Sequence, residues 1–279
     1  EKMNHQLSLE MAEHERAEVE TRRLEGQLKQ AEKLETIGRL TAGVAHDLNN
    51  ILSGLVSYPD LLLMDLPEDN PWQKPLSVIQ KSGQKAAAIV QDLLSLARQG
   101  VSEKEIVNLN QIVSDYLASP EYAQLLSNHS QVRVEVNLDK GALDIKGSAF
   151  HISKALMNLL HNACEANLVD GTVRIATQNC YFDKPHDLYE RIEEGEYVVL
   201  SVADSGIGIN QEDLTKIFEP FYTKKKLGRS GTGLGLTLIG STVKEQGGFI
   251  DIQTEEGRGS TFNLYFPVTR DIAEQTEMR

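Results

Sequence analysis

The sequence predicts two kinds of unit in one chain: an α-helical hairpin forming a dimeric four-helix bundle, then an α/β sandwich with helices on one face of a mixed sheet. Three observations carry this. Apolar residues recur at spacings of three and four as far as Ala97. Runs rich in Val, Ile, Thr and aromatics begin only after about residue 105, and helical patterns interleave with them. The 279 residues exceed one small domain and suit two units with connectors.

Residues 1–34 are charged, with Leu24, Leu28, Ala31, Leu34 and Ile37 at coiled-coil spacing, and are expected to form a parallel two-stranded coiled-coil connector. The seam runs on through Leu40, Val44, Leu48 and Ile51, so a first helix should continue to about Leu66 and kink at Pro59, which lacks a backbone donor. Leu66-Pro-Glu-Asp-Asn-Pro71 reads as a turn. A second amphipathic helix follows through Leu76, Ile79, Ala86, Ile89, Val90, Leu93, Leu96 and Ala97. Two such helices cannot bury their broad apolar stripe alone; a homodimeric four-helix bundle over residues 35–101 does so.

Residues 105–268 supply the second unit. Strands are expected at 106–109, 131–136, 172–177, 197–203, 249–252 and 261–266, with helices near 110–127, 149–168, 211–217 and 234–246. Residues 269–279 are polar and unpatterned, as in a tail or linker.

Composition narrows the function. A net charge of −13 opposes general affinity for nucleic acid or anionic lipid, both polyanions. No apolar run reaches the length of about twenty residues that spans a bilayer, so no direct membrane contact is expected of this stretch. Cys164 and Cys180 lack metal-ligand spacing and suit free thiols in a reducing, cytoplasmic setting. A chain opening on Glu1 rather than Met is expected to be a segment of a longer protein, with a sensing region upstream.

The residue that most invites chemistry in the first unit is His46, in Gly43-Val-Ala-His-Asp-Leu-Asn-Asn50. Imidazole is a good neutral nucleophile near pH 7, and a neighbouring carboxylate such as Asp47 can hold the ring and take its proton. Asn50 stands one helical turn on, over the same face.

In the second unit the chemistry gathers at glycine-rich turns. Asp204-Ser-Gly-Ile-Gly-Ile209 follows a strand, placing a carboxylate beside Gly206 and Gly208; it could accept from the exocyclic amine of adenine, or serve only as a turn. Gly231-Thr-Gly-Leu-Gly-Leu236 opens a helix whose free N–H groups suit an anion such as a phosphate chain. It lacks the Lys-Ser/Thr ending of a Walker loop and the context of a dinucleotide fingerprint. Between them Phe218-Glu-Pro-Phe-Tyr-Thr-Lys-Lys-Lys226 pairs an aromatic cluster with cations, as in a lid over polyphosphate or an ordinary solvated loop. Asn158 and Asn162, one turn apart in an apolar helix, are neutral oxygen donors of the kind Mg²⁺ takes beside phosphate, unless they pair with backbone.

Taken in order, these five sites resemble the H, N, first glycine, F and second glycine boxes of sensor histidine kinases of two-component systems, and Glu255-Glu-Gly-Arg-Gly-Ser-Thr-Phe262 is similar to their closing glycine-Thr turn. Lys33-Leu-Glu-Thr-Ile-Gly-Arg-Leu40 and His46-Asp-Leu-Asn-Asn50 resemble kinases that often end in a receiver domain. The resemblance implies a Bergerat-type ATP-binding sandwich. It implies that His46 takes the γ-phosphate of ATP, that Asp47 orients it as general base, and that Asn50 serves a phosphatase activity toward the partner. It further implies Mg²⁺ on Asn158 and Asn162, adenine on Asp204 with Gly206 and Gly208 shaping the pocket, and Thr223, Lys225, Gly231, Thr232, Gly233, Leu234, Gly235 and Thr261 at the nucleotide. The implied partners are a second copy of the chain and the receiver aspartate of a response regulator.

Two positions depart from the pattern. Glu165 stands where many relatives carry a Lys near the phosphates, and Ile51 stands where other subgroups have a proline, Pro59 lying deeper. Two rival functions share the nucleotide site: an ATP-driven conformational machine, which would have no His-Asp-x-x-Asn helix, and a non-catalytic dimeric scaffold.

Overall fold

The structure is a computed structural model that describes residues 47–67, 69–97, 104–167, 170–224 and 231–270. The expected connector at 1–34, His46, Lys225, Lys226 and the tail from residue 271 lie outside the described residues. The chain divides into two compact units, parting between Arg98 and Gln99.

In the first unit, helix α1 covers residues 47–65 and α2 covers Gln73–Ala97. α1 runs on through Pro59, which is buried, so the missing donor does not end the helix. Leu52 and Val90 bury against each other's surroundings with Ala86, Ala87 and Leu94. Gly83 of α2 lets the helices approach: a Cβ there would lie 3.1 Å from Val56 and 3.3 Å from the backbone of Leu55. Gln80 Nε2 donates to Asp60 Oδ1 across the hairpin at 2.8 Å.

That packing uses one side of α1 only. Leu48, Ile51, Leu55, Tyr58 and Leu62, spaced three, four, three and four, all stay exposed, Ile51 at 64% and Tyr58 at 71%. This is a coiled-coil seam facing outward.

The second unit has the element order β1 (Glu105–Asn108), α3 (Leu109–Leu117), α4 (Pro120–Asn128), β2 (Arg133–Leu138), β3 (Asp144–Gly147), α5 (Ala149–Ala166), β4 (Thr172–Phe182), β5 (His186–Asp187), β6 (Arg191–Ile192), β7 (Gly195–Asp204), α6 (Gln211–Leu214), α7 (Gly235–Glu245), β8 (Phe249–Glu255) and β9 (Gly259–Pro267). The main sheet has the order β2-β4-β7-β9-β8, with β2 parallel to β4 and all other pairs antiparallel. β1 pairs with β3 beside it, and β5 with β6 in a short hairpin.

Strand alternation sorts the side chains by face. Val198, Leu200, Val202, Ile250, Ile252, Phe262, Leu264 and Phe266 turn to the helices and join Ile112, Leu156, Leu159, Leu160 and Ile239 in one core. Tyr197, Val199 and Tyr265 turn the other way and pack with Ile192, Phe182 and Phe249.

Two expectations need correction. The single helix at 110–127 is two helices, because Ser119 caps α4 by accepting from the N–H of Tyr122 at 3.2 Å and Pro120 starts its first turn. The helix over 211–217 ends at Leu214 and continues as turns.

Candidate functional site

Two segments meet α5, and a third joins the start of α7. At its C-terminal end the turn after β7 is sewn in place: Ile207 N–H donates to Ala166 O at 3.2 Å, Ser205 N–H to Thr172 O at 3.1 Å, and Ser205 Oγ lies 3.1 Å from Asn167 Oδ1. Gly206 is needed because a Cβ would sit 2.5 Å from Ala166 O. Gly208, at φ +68°, would drive a Cβ to 2.1 Å from Glu255 O, and Gly257 N–H closes on Ile207 O at 2.8 Å. The atoms these two glycines make room for are the protein's own backbone.

This stitching leaves the Asp204 carboxylate on the helix side of the sheet, accepting the Gly206 N–H at 2.8 Å. Burial pushes its carboxyl above the usual range, and the backbone N–H groups of Gly206 and Ser260 pull it back only in part. Asp204 is therefore a partly buried acceptor at the cavity wall, which suits one directed donor.

Sequence reasoning named Thr261 and passed over Ser260. Alternation along β9 turns Ser260 to the helix side with Phe262 and Asp204, whereas Thr261, opposite Ala203, faces the other side. Ser260 is buried, with its hydroxyl 2.9 Å from Thr254 Oγ1. The signal was available: the period of two through Phe262, Leu264 and Phe266 fixes the parity of residue 260. A cavity of ≈ 330 Å³ opens at these strand ends, lined by Asp204, Thr254, Glu255, Arg258, Ser260 and Thr261 among others, and does not reach Asn158.

The second convergence is at the start of α7. α3, α4, α5 and α6 each begin with a side chain that accepts a first-turn N–H, from Asn108, Ser119, Ser148 and Asn210. α7 begins at Leu234 with no such cap. Its first-turn donors are open to an anion at the positive end of the helix dipole. Leu234 itself is fully buried, so only its backbone can meet a ligand; Thr232 Oγ1 accepts the Leu234 N–H at 3.1 Å.

Gly235 brings α7 against α5, since a Cβ would lie 3.6 Å from the side-chain carbonyl group of Asn158. The Nδ2 of Asn158 is buried without a hydrogen-bond partner. An orphan amide donor beside an uncapped helix start fits a phosphate oxygen. Asn162 stands one turn along α5, half-buried, and Glu165 one turn further. No group of three His, Cys, Asp or Glu that could hold a metal occurs among the described residues. A cation here would lean on neutral amide oxygens, water and phosphate, the donor set that Mg²⁺ accepts.

The third segment is the root of the expected lid. Phe221 adopts φ +67°, rare for a bulky side chain, and its N–H donates to Gly233 O at 3.0 Å. Gly233, at φ +68°, has no room for a Cβ, which would fall 2.5 Å from the Phe221 carbonyl carbon. Asp213 binds both neighbours that follow, taking the Tyr222 hydroxyl at 2.6 Å and the Lys224 ammonium at 2.6 Å. Those two partners hold its carboxyl below the usual range. Thr223 is exposed in the same stretch. Gly231 is exposed just before the second glycine turn. In the first unit, Asp47 and Asn50 are exposed at the start of the described part of α1.

Residues 36–102 match the His Kinase A (phospho-acceptor) domain, and residues 147–270 match the histidine kinase-, DNA gyrase B- and HSP90-like ATPase domain. The chain belongs to the sensor histidine kinases of two-component systems. Among relatives, the sensor kinase CckA of Brucella abortus (strain 2308) is 33% identical over 252 residues, covering 89% of this chain and 26% of that protein. The sensor histidine kinase ZraS of Escherichia coli (strain K12) is 29% identical over 248 residues, covering 88% of this chain and 48% of that protein. The chain thus spans between a quarter and a half of these two relatives.

Two solved structures share the fold. Full-length ShkA in complex with AMPPNP superposes with a TM-score of 0.65 at 21% identity, covering 84% of this chain and 47% of that one. Histidine kinase ThkA in complex with the response regulator TrrA gives 0.54 at 23% identity, covering 88% of this chain and 66% of that one. The expected two-part fold, a phosphoacceptor helical region followed by a mixed-sheet ATPase domain, is the fold found.

Proposed function

We propose that this stretch is a transmitter that phosphorylates His46 from Mg²⁺-bound ATP and passes the phosphoryl group to an aspartate of a response regulator receiver. The observation that carries the nucleotide half is the uncapped start of α7 beside the orphan Asn158 amide, with the half-buried Asp204 acceptor at the C-terminal end of the same helix α5. The phosphoacceptor half rests on the domain match over 36–102, which sets the chain apart from an ATP-driven conformational machine.

In the reaction, an imidazole nitrogen of His46 forms a bond to the γ-phosphorus as the bond to the β,γ-bridging oxygen breaks, and ADP departs with that electron pair. The ring proton goes to Asp47. Phosphoryl transfer asks for placement and charge neutralisation more than bond chemistry. Asp204 fixes the base, Asn158 and the α7 donors hold the phosphates, and Asn162 is the principal Mg²⁺ ligand with Asn158 in support. Thr223, Lys225, Gly231 and Thr232 form the rim of the lid. Asn50 directs water for the reverse duty, removing phosphate from the partner.

The exposed seam on α1 supports a homodimer. No described helix is long and apolar enough to cross a membrane, and we assign the stretch to the cytoplasm, where ATP is available. The ThkA–TrrA complex, in a relative of the same fold, supports a response regulator as the second partner.

Incubation with γ-labelled ATP and Mg²⁺ tests the reading. An acid-labile, alkali-stable label that disappears in His46→Ala is the expected result. ATP hydrolysis without such a label in the parent protein points instead to a conformational machine, and neither binding nor hydrolysis to a scaffold.

A further inference from the structure

The segment between β4 and β7 leaves the sheet at Asp183 and returns at Gly195, and it does more than connect them. It wraps the outer edge of β8. On the far side of the sheet Ile192 is fully buried against Tyr197 and Tyr265. At the edge itself the Glu190 carboxylate accepts the N–H of Ile250 at 3.0 Å and lies 3.6 Å from Lys244 Nζ of α7. The Tyr189 N–H reaches the buried Asp251 at 3.3 Å, a carboxylate also held by Gln253 and Asn263.

On the helix side the same segment ends on the root of the lid. Tyr189 Oη donates to Leu214 O at 3.1 Å, and its ring lies 5.9 Å from that of Phe218 at a tilt of 48°. Phe218 is pressed from its other side by α7: a Cβ on Gly240 would lie 3.2 Å from its ring, and Thr237 Oγ1 donates to its carbonyl at 3.2 Å. Three residues on, Phe221 meets Gly233, and two residues after that α7 begins.

We propose that Tyr189 is a positioning residue for the nucleotide site, acting through the lid root, with Glu190 and Asp251 anchoring the strap that carries it. The proposal rests on the nucleotide reading above and adds a residue from outside all five boxes. Its reason is mechanical. Phe218 is held between Tyr189 and α7, so the Phe221–Gly233 junction inherits a fixed distance from the first turn of α7. Without the Tyr189 hydroxyl, Leu214 loses a hydrogen bond to the strap on the β8 edge.

Tyr189→Phe keeps the ring and removes the link; Glu190→Ala loosens the strap without touching the lid. Hydrogen exchange and AMPPNP binding with Mg²⁺ are measured on the same protein. In Tyr189→Phe the Phe221 amide is expected to exchange about fivefold faster, the scale set by one net hydrogen bond. The Leu264 amide in β9 keeps its parent rate and AMPPNP binds several-fold more weakly; Glu190→Ala shifts Phe221 exchange and AMPPNP affinity in the same directions, again with Leu264 unchanged. Equal acceleration at Phe221 and Leu264 overturns the proposal, because it marks Tyr189 as core packing alone. Unchanged exchange at Phe221, or local acceleration with unaltered AMPPNP affinity, overturns it as well. If the parent binds no AMPPNP, the nucleotide reading falls and the positioning role falls with it, while the exchange rates still decide the brace.

Discussion

Phe221 gives its backbone N–H to the carbonyl of Gly233, twelve positions on in the sequence, and both residues sit in the left-handed region of backbone space. The two ends of this stretch are therefore pinned together by the protein's own backbone. Gly233→Ala should part them. A Cβ has no space against the Phe221 backbone, and the left-handed conformation alone costs a non-glycine residue about 1–2 kcal/mol. Calorimetric titration with AMPPNP should record at least a tenfold loss of affinity, with the far-UV circular dichroism spectrum of the parent preserved.

A charge placed in the outward seam of α1 should separate the protomers. Leu55 is 46% exposed and lies between Ile51 and Tyr58 on the seam. Burying each such side chain in a bundle is worth about 1.5–3 kcal/mol. Leu55→Glu reverses that gain and adds two like charges at the symmetric contact. Light scattering is expected to give a dimer for the parent and a monomer for the variant, with nucleotide affinity preserved in both.

Acid should weaken nucleotide binding earlier than an ordinary carboxylate would allow. Burial holds the Asp204 pKa above 3.8, so the group takes up its proton at a higher pH on the way down. Protonation removes the acceptor that the base requires. The stability term has the opposite sign: a raised folded pKa means the protonated form is the better tolerated one, so Asp204 favours folding below its unfolded pKa and loses that contribution as pH rises through the folded value. Affinity measured from pH 7 downward should fall in parent protein while the fold persists. Asp204→Asn, which cannot titrate, should bind weakly and without this pH dependence.

The two thiols should differ sharply toward iodoacetamide. Burial pushes the Cys164 thiol up to about 11, with Glu165 and Asp204 adding to it, and the side chain has no exposure. Cys180 is also raised by burial but is only half-buried. Mass spectrometry at pH 8 should find Cys180 alkylated first and Cys164 only on unfolding. Early modification of Cys164 would show that α5 opens locally.

Much of this was legible in the chain, and what was not has a common cause. The strands at 172 and 197 announce themselves through Val-Arg-Ile-Ala and Val-Val-Leu-Ser-Val, where burial dictates residue type. β3, Asp144–Gly147, is short and largely polar, and it exists because β1 pairs with it. The break between α3 and α4 was readable in Ser119-Pro120 and was overridden by the apolar period around it. At the site, the residue types at the glycine turns could be read locally. Their neighbours could not: that Gly206 faces Ala166 and Gly208 faces Glu255 depends on contacts forty or more residues away. Tyr189 carries no local signal at all, since its meaning lies in Leu214 and Phe218.

Helix α5 touches the Asp204 turn through Ala166 and the start of α7 through Asn158, eight residues earlier. At 1.5 Å per residue those two points are on the order of 12 Å apart along one rigid rod. The site is thus a ruler. A ligand long enough to reach both marks gains from each contact by pre-paying the entropy of the other, in the manner of a bivalent binder. A nucleoside without phosphates, or a free polyphosphate, reads one mark only, and the two weak affinities added together fall far short of the whole.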